Sequence, residues 1–186
     1  MLFRSIKVNP KDAKRFSVRI RVPDRSHSSL YQATPEVGGL TSLSVNGSAV
    51  KPVFEKGYAV ITRTWKAGDR IDLELPMKVQ RVQASQKIAA DRGKMALRYG
   101  PLMYNIEKVD QDITKPLAPD SAFSTEWRGD LLGGVMVIKG KFADGSPMMA
   151  IPNYARTNRD PAVAPAVSPG DRPPREITSV VWMNGG

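Results

Sequence analysis

The sequence predicts an all-β protein of packed sheets, in β-sandwich form. Three observations predict it. Across residues 57–76, Ala59, Ile61, Arg63 and Trp65 share one side of an extended run, and Ile71, Leu73 and Leu75 share one side of the next, with Asp72 and Glu74 opposite. Only a half-buried strand explains a period of two. Short apolar runs then recur at spacings of roughly ten residues, and none longer than a turn or two has helical periodicity. Finally, turn chemistry separates the runs: Lys66-Ala67-Gly68-Asp69 offers a glycine where a tight corner needs positive φ, and Asn46-Gly47 is a strong hairpin signal.

Taken in order, Phe16–Val22 alternates cleanly and stops at Pro23, which has no N–H to give a ladder. Residues 24–39, with His27, Tyr31 and Pro35, read as irregular and polar. Leu43–Gly47 is a strand running into the Asn-Gly turn. That turn also accounts for the Asn46-Gly47-Ser48 glycosylation sequon. Strands follow at 58–65, 70–75, Val79–Ala84, Lys94–Tyr99 and Leu102–Glu107. Residues 110–130 are polar again, with Phe123 and Trp127 as isolated aromatics. Val135–Ile138 and Met148–Ile151 read as strands about an Ala143–Gly145 turn. Five prolines make 161–176 an exposed loop, and 177–183 is a closing strand.

The 186 residues, 41% of them hydrophobic, suffice for one ordinary domain or two small ones. No apolar run approaches the ~20 residues that cross a bilayer, so no membrane partner is expected. No signal peptide is legible at the N-terminus. The absence of cysteine excludes disulfides, thiolate metal sites and a thiol nucleophile. The net charge of +10 is uneven: residues 1–108 hold 20 Lys/Arg against 9 Asp/Glu, and residues 109–186 hold 8 against 9. A basic nucleic-acid surface is one reading of this excess. Arg19 and Arg21 alternate with Val18, Ile20 and Val22 as solvated outward positions would, and no basic-aromatic stacking motif accompanies them. Nucleic acid is therefore not an expected partner.

The strand series also carries an ordered set of short motifs: Arg19-Ile20-Arg21-Val22-Pro23, Ser44-Val45-Asn46-Gly47, Gly57-Tyr58 through Arg63–Asp69, Leu73–Met77, Ala96–Tyr104, Ala150–Arg159 and Ser179–Trp182. Together they resemble the C-terminal region of glycoside hydrolase family 127, whose characterised activity is β-L-arabinofuranosidase. The resemblance implies two small jelly-roll-like β-sandwich modules, the second inserted into the first: residues 1–108 with 177–186, and residues 109–176. It also implies a catalytic α/α-toroid as partner, working through a cysteine nucleophile in a zinc site and a glutamate acid/base. None of those positions maps onto this chain, so no cofactor and no catalysis are expected of it alone. Asn153 stands where the family commonly has Tyr, and Arg156 where it has Trp, which leaves the parent's substrate open.

Candidate sites follow from the side chains. Trp65 has the parity of Ile61 and belongs to the core; Arg63 beside it needs a carboxylate, Asp69 or Glu107. Trp127 lies in a stretch without burying period, as a sugar platform or as an anchor on another domain. Tyr154, Arg156, Asn158 and Arg159 form a polar-aromatic cluster able to read sugar hydroxyls or to lock a loop. Trp127, Tyr154, Arg156 and Asn158 are thus the candidate carbohydrate-binding residues. Asp110, Gln111, Asp112 and Asp120 lack the glycine and distal glutamate of a calcium loop. His27 reads as a surface residue, and no spacing among the 18 acids singles out a glycosidase pair. The function expected is that of a non-catalytic accessory region, with an autonomous carbohydrate-binding module as alternative and a basic nucleic-acid-binding domain as a further one.

Overall fold

A computed structural model describes residues 2–23, 28–159 and 177–185. His27 and the proline-rich 161–176 stretch lie outside them. Sixteen strands occur among the described residues: β1 (Leu2–Val8), β2 (Lys14–Arg21), β3 (Tyr31–Thr34), β4 (Ser42–Val45), β5 (Ser48–Ala49), β6 (Val53–Glu55), β7 (Tyr58–Trp65) and β8 (Asp69–Leu75). The others are β9 (Val79–Ala84), β10 (Lys94–Tyr99), β11 (Leu102–Glu107), β12 (Ser124–Arg128), β13 (Val135–Lys141), β14 (Pro147–Pro152), β15 (Ser179–Val180) and β16 (Met183–Asn184). Single 3₁₀ turns stand at Ala89–Asp91 and Asn153–Ala155. The all-β expectation is met.

One compact unit comprises residues 1–28 and 36–78. It holds a four-stranded sheet, β1-β8-β4-β5, and a three-stranded sheet, β2-β7-β6, all neighbours antiparallel. Alternation sends Ile20, Ala59, Ile61 and Trp65 of one sheet and Leu43, Val45, Ile71 and Leu73 of the other into a shared core. Trp65 is completely buried, and its Nε1 donates to the Phe16 carbonyl at 3.0 Å, which satisfies the one polar atom that burial would otherwise strand. The Asn46-Gly47 turn has φ of +52° and +80°, the mirror-image geometry that fits hairpin twist. Asn46 also bridges to the neighbouring corner, giving Nδ2–H to Asp69 Oδ1 and accepting the Arg70 N–H, both at 2.8 Å.

The second unit comprises residues 29–35 and 79–186. Its sheet runs β12-β13-β14-β11-β10-β9-β3, with β15 paired to β11 and β16 to β10. One face gathers Leu97, Tyr104, Ile106, Ile138, Met148 and Ala150 around the buried Leu117 and Phe142. Registers of Ile138 with Ala150 and of Tyr104 with Pro152 put these even-numbered positions of β11, β13 and β14 on that face. The odd positions Val135, Val137 and Ile151 form a smaller cluster on the reverse face, with Ala155.

Several expectations change. The units meet at Lys78 and Val79, whereas the sequence reading divided the chain into 1–108 plus 177–186 and 109–176. The closing residues do return to Lys94–Glu107, but those strands are central to the second sheet, because β11 also pairs with β14. The closing strand is two short pieces, β15 and β16. The supposedly irregular 24–39 contains β3, which leaves the first unit's run of sequence to pair with β9. Likewise 110–130 contains β12, and the N-terminus forms β1 against β8. These three strands are edges whose exposed positions show little alternation, so periodicity has nothing to register.

Candidate functional site

The reverse face of the second sheet carries the densest polar arrangement. Strand β11 points Asn105 and Glu107 there, and both are buried. Glu107 is held on both oxygens: Oε1 accepts the Thr157 N–H at 2.6 Å, and Oε2 accepts Arg159 at 2.8 Å. Arg159 also donates to Asp110 Oδ1 at 2.9 Å. The two carboxylates facing it raise its pKa, Asp110 through the stronger hydrogen bond. Asn105 gives Nδ2–H to Ser179 Oγ at 3.1 Å. Thr157 takes φ of +61°, an uncommon conformation for a β-branched residue, and its N–H meets Glu107. The turn after β14 is therefore clamped onto β11 by a two-acid arginine lock.

Of the four predicted binding residues, Arg156 donates to the Ser179 carbonyl at 3.0 Å and Asn158 closes the turn through its backbone, N–H to Ala155 O at 3.4 Å. Both sit in the loop-locking arrangement. Tyr154 is 66% exposed at the same turn. Trp127 is 62% exposed on the edge strand β12, and β13 separates it from β14. Its ring is not loose: a Cβ built on Gly134 would come within 2.4 Å of the indole Cζ2, so the aromatic lies directly against that glycine. Phe123, at the other end of β12, covers Gly140 in the same manner. Beside Trp127, Arg128 grips Asp130 through two bonds of 2.8 and 2.6 Å, which hold the Asp130 carboxyl down at about 2.

Other candidates resolve structurally. Arg63 stacks over Trp65 at 5.3 Å and donates to the Thr64 carbonyl. Of its proposed partners, Asp69 hydrogen-bonds Asn46 and Lys66 and feels the Arg63 charge only at a distance, and Glu107 is taken by Arg159. Asp110 joins the arginine lock; Gln111 bonds the backbone of Met149 through both ends of its amide; Asp112 caps Thr114. Among the described residues, no three of His, Cys, Asp or Glu gather in a way that would hold a metal.

Two features escaped sequence reasoning. The Glu107–Arg159 pair spans 52 residues and has no local signature. A groove on the second unit, lined by the apolar Ile113, Ile177, Val180 and Trp182 and by the polar Lys94, Lys108, Asp112 and Asn184, draws on three separate stretches of sequence. Trp182 was visible only as part of an apolar closing run.

Comparison with known proteins follows the same division. Residues 4–77 match the family description "Beta-L-arabinofuranosidase, GH127 middle domain", and residues 79–164 match "Glycoside hydrolase family 127 C-terminal domain". The non-reducing end β-L-arabinofuranosidase of Bifidobacterium longum subsp. longum is 33% identical over 105 residues, 52% of this chain and 16% of that protein. A GH127 β-L-arabinofuranosidase from Geobacillus stearothermophilus T6 superposes with a TM-score of 0.74 at 28% identity, over 99% of this chain and 28% of its own. A further GH127 β-arabinofuranosidase shares the fold with a TM-score of 0.80 at 23% identity, over 99% of this chain and 30% of its own. The chain thus spans less than a third of the length of each relative. With consecutive matches from residue 4 to residue 164, it belongs to glycoside hydrolase family 127 and carries that family's middle and C-terminal domains.

Proposed function

We propose that the chain is the non-catalytic accessory region of a family 127 hydrolase, two β modules that dock on and position the parent's catalytic α/α-toroid. The carrying observation is that an all-strand chain matches the middle and C-terminal domains in sequence order. The most buried acid among the described residues supports it, since Glu107 has both oxygens committed to holding a turn, an arrangement suited to architecture rather than proton transfer. Trp127 serves as a docking anchor: a large, immobilised, outward-facing indole is the kind of residue that dominates protein interfaces.

Two measurements test this reading. The chain alone should release no chromophore from an aryl β-L-arabinofuranoside, and robust turnover abolished by one carboxylate substitution would overturn it. Titrated against the separately produced toroid, the chain should bind, and Trp127→Ala should weaken that binding by about tenfold. Binding that ignores the substitution would move the interface elsewhere.

A further inference from the structure

The groove beside Trp182 has a volume of about 600 Å³, within the range of small-molecule sites. Its lining is of two kinds. Ile113, Ile177, Val180 and Trp182 are apolar, and the Trp182 indole is pinned by Tyr31, whose ring stacks on it at 5.9 Å and 27° without itself lining the groove. The polar residues mix donors and acceptors. Lys94 spends one of its three N–H bonds on the Ala90 carbonyl at 2.9 Å. Asp112, held ionised by the side chain and backbone of Thr114, offers carboxylate oxygens. Asn184 adds a carboxamide, oriented by its bond to the Thr114 carbonyl at 3.3 Å.

This pairing selects among ligands. An apolar peptide would strip water from the lysine and aspartate side chains and return no further hydrogen bonds to them. A polyanion would meet the Asp112 carboxylate. An uncharged polyol ring suits both kinds of lining: its C–H face can lie on an indole, and its hydroxyls can donate to a carboxylate and accept from an ammonium. We propose that this groove is a binding subsite for a neutral oligosaccharide, of about two or three sugar residues given its size. It holds polysaccharide on the second unit itself. The subsite stands apart from the docking role, because it requires neither Trp127 nor the toroid.

Calorimetric titration of the 186-residue chain with xylotriose, arabinotriose and trigalacturonate tests it. Saturable heat is expected with at least one neutral trisaccharide and none with the acidic one. Trp182→Ala should weaken binding about tenfold or more. Because that change also removes the Tyr31 stack, Lys94→Met provides a second variant whose backbone partner is solvent-accessible; it should lose affinity severalfold with an unchanged unfolding midpoint. The proposal is overturned by absence of saturable heat with both neutral probes, by preference for trigalacturonate, or by binding that survives both groove variants and vanishes with Trp127→Ala.

Discussion

Arg159 shows what a single side chain does in the second unit. Its guanidinium, 15% exposed, answers Glu107, 3% exposed, and removing it would leave a carboxylate buried without a counter-charge. Breaking such a pair costs about 3–5 kcal/mol, far more than a surface ion pair contributes. Arg159→Ala should therefore lower the unfolding free energy of the second unit, read from its urea transition, by that order, and Arg159→Lys should recover only part, since an ammonium cannot span Glu107 and Asp110 as a planar fork does. A midpoint unchanged by Arg159→Ala would mean that water compensates the acid. Asp130 behaves oppositely. Its carboxyl sits at about 2 because Arg128 donates to it, below the unfolded value of ~3.9. That stabilisation is present above the unfolded value and is lost as pH falls towards the folded one, and it is small because the pair is exposed. Carboxyl NMR should find Asp130 ionised at about pH 3, and Arg128→Ala should return it to the ordinary range.

At the scale of elements, strand β12 is fixed to β13 by aromatic side chains laid over glycines. A methyl group on Gly140 would approach the Phe123 ring to 2.8 Å and Ser121 Oγ to 2.9 Å. Ser121 is itself buried and accepts the Lys141 N–H, so it has little room to yield. Gly140→Ala should cost about 1–3 kcal/mol in thermal or urea unfolding, the usual range for overpacking. A neutral substitution would show that β12 lifts away freely. The same elements mark how far the sequence could be read. Strands β9, β10 and β11 are recovered to the residue: β9 alternates, and β10 and β11 are short, mostly buried runs separated by Gly100-Pro101. Strand β12 escapes, since four of its five positions are exposed and its anchoring partners, Gly134 and Gly140, carry no hydrophobic signal. For the site, the cluster from Tyr154 to Arg159 was legible as chemistry, but its partners Glu107 and Ser179 come from strands distant in sequence.

At the scale of the molecule, the boundary between units and the path of the chain do not coincide. Strand β3 lies within the first unit's stretch of sequence, yet pairs with β9 from Tyr31↔Ala84 to Thr34↔Arg81 and brings the ring on which Trp182 stacks. A fragment of residues 79–186 should therefore unfold at lower urea than the same unit within the full chain, with a weakened near-ultraviolet tryptophan signal. Equal midpoints would show that β3 is dispensable. Sequence alone placed the division after residue 108, where composition changes, because long-range pairing leaves no trace in composition. The borrowed strand also has a consequence for inheritance. A crossover between the two matched segments, the natural seam for shuffling modules among genes, would hand the recipient an incomplete sheet, so these two modules are bound to be passed on together.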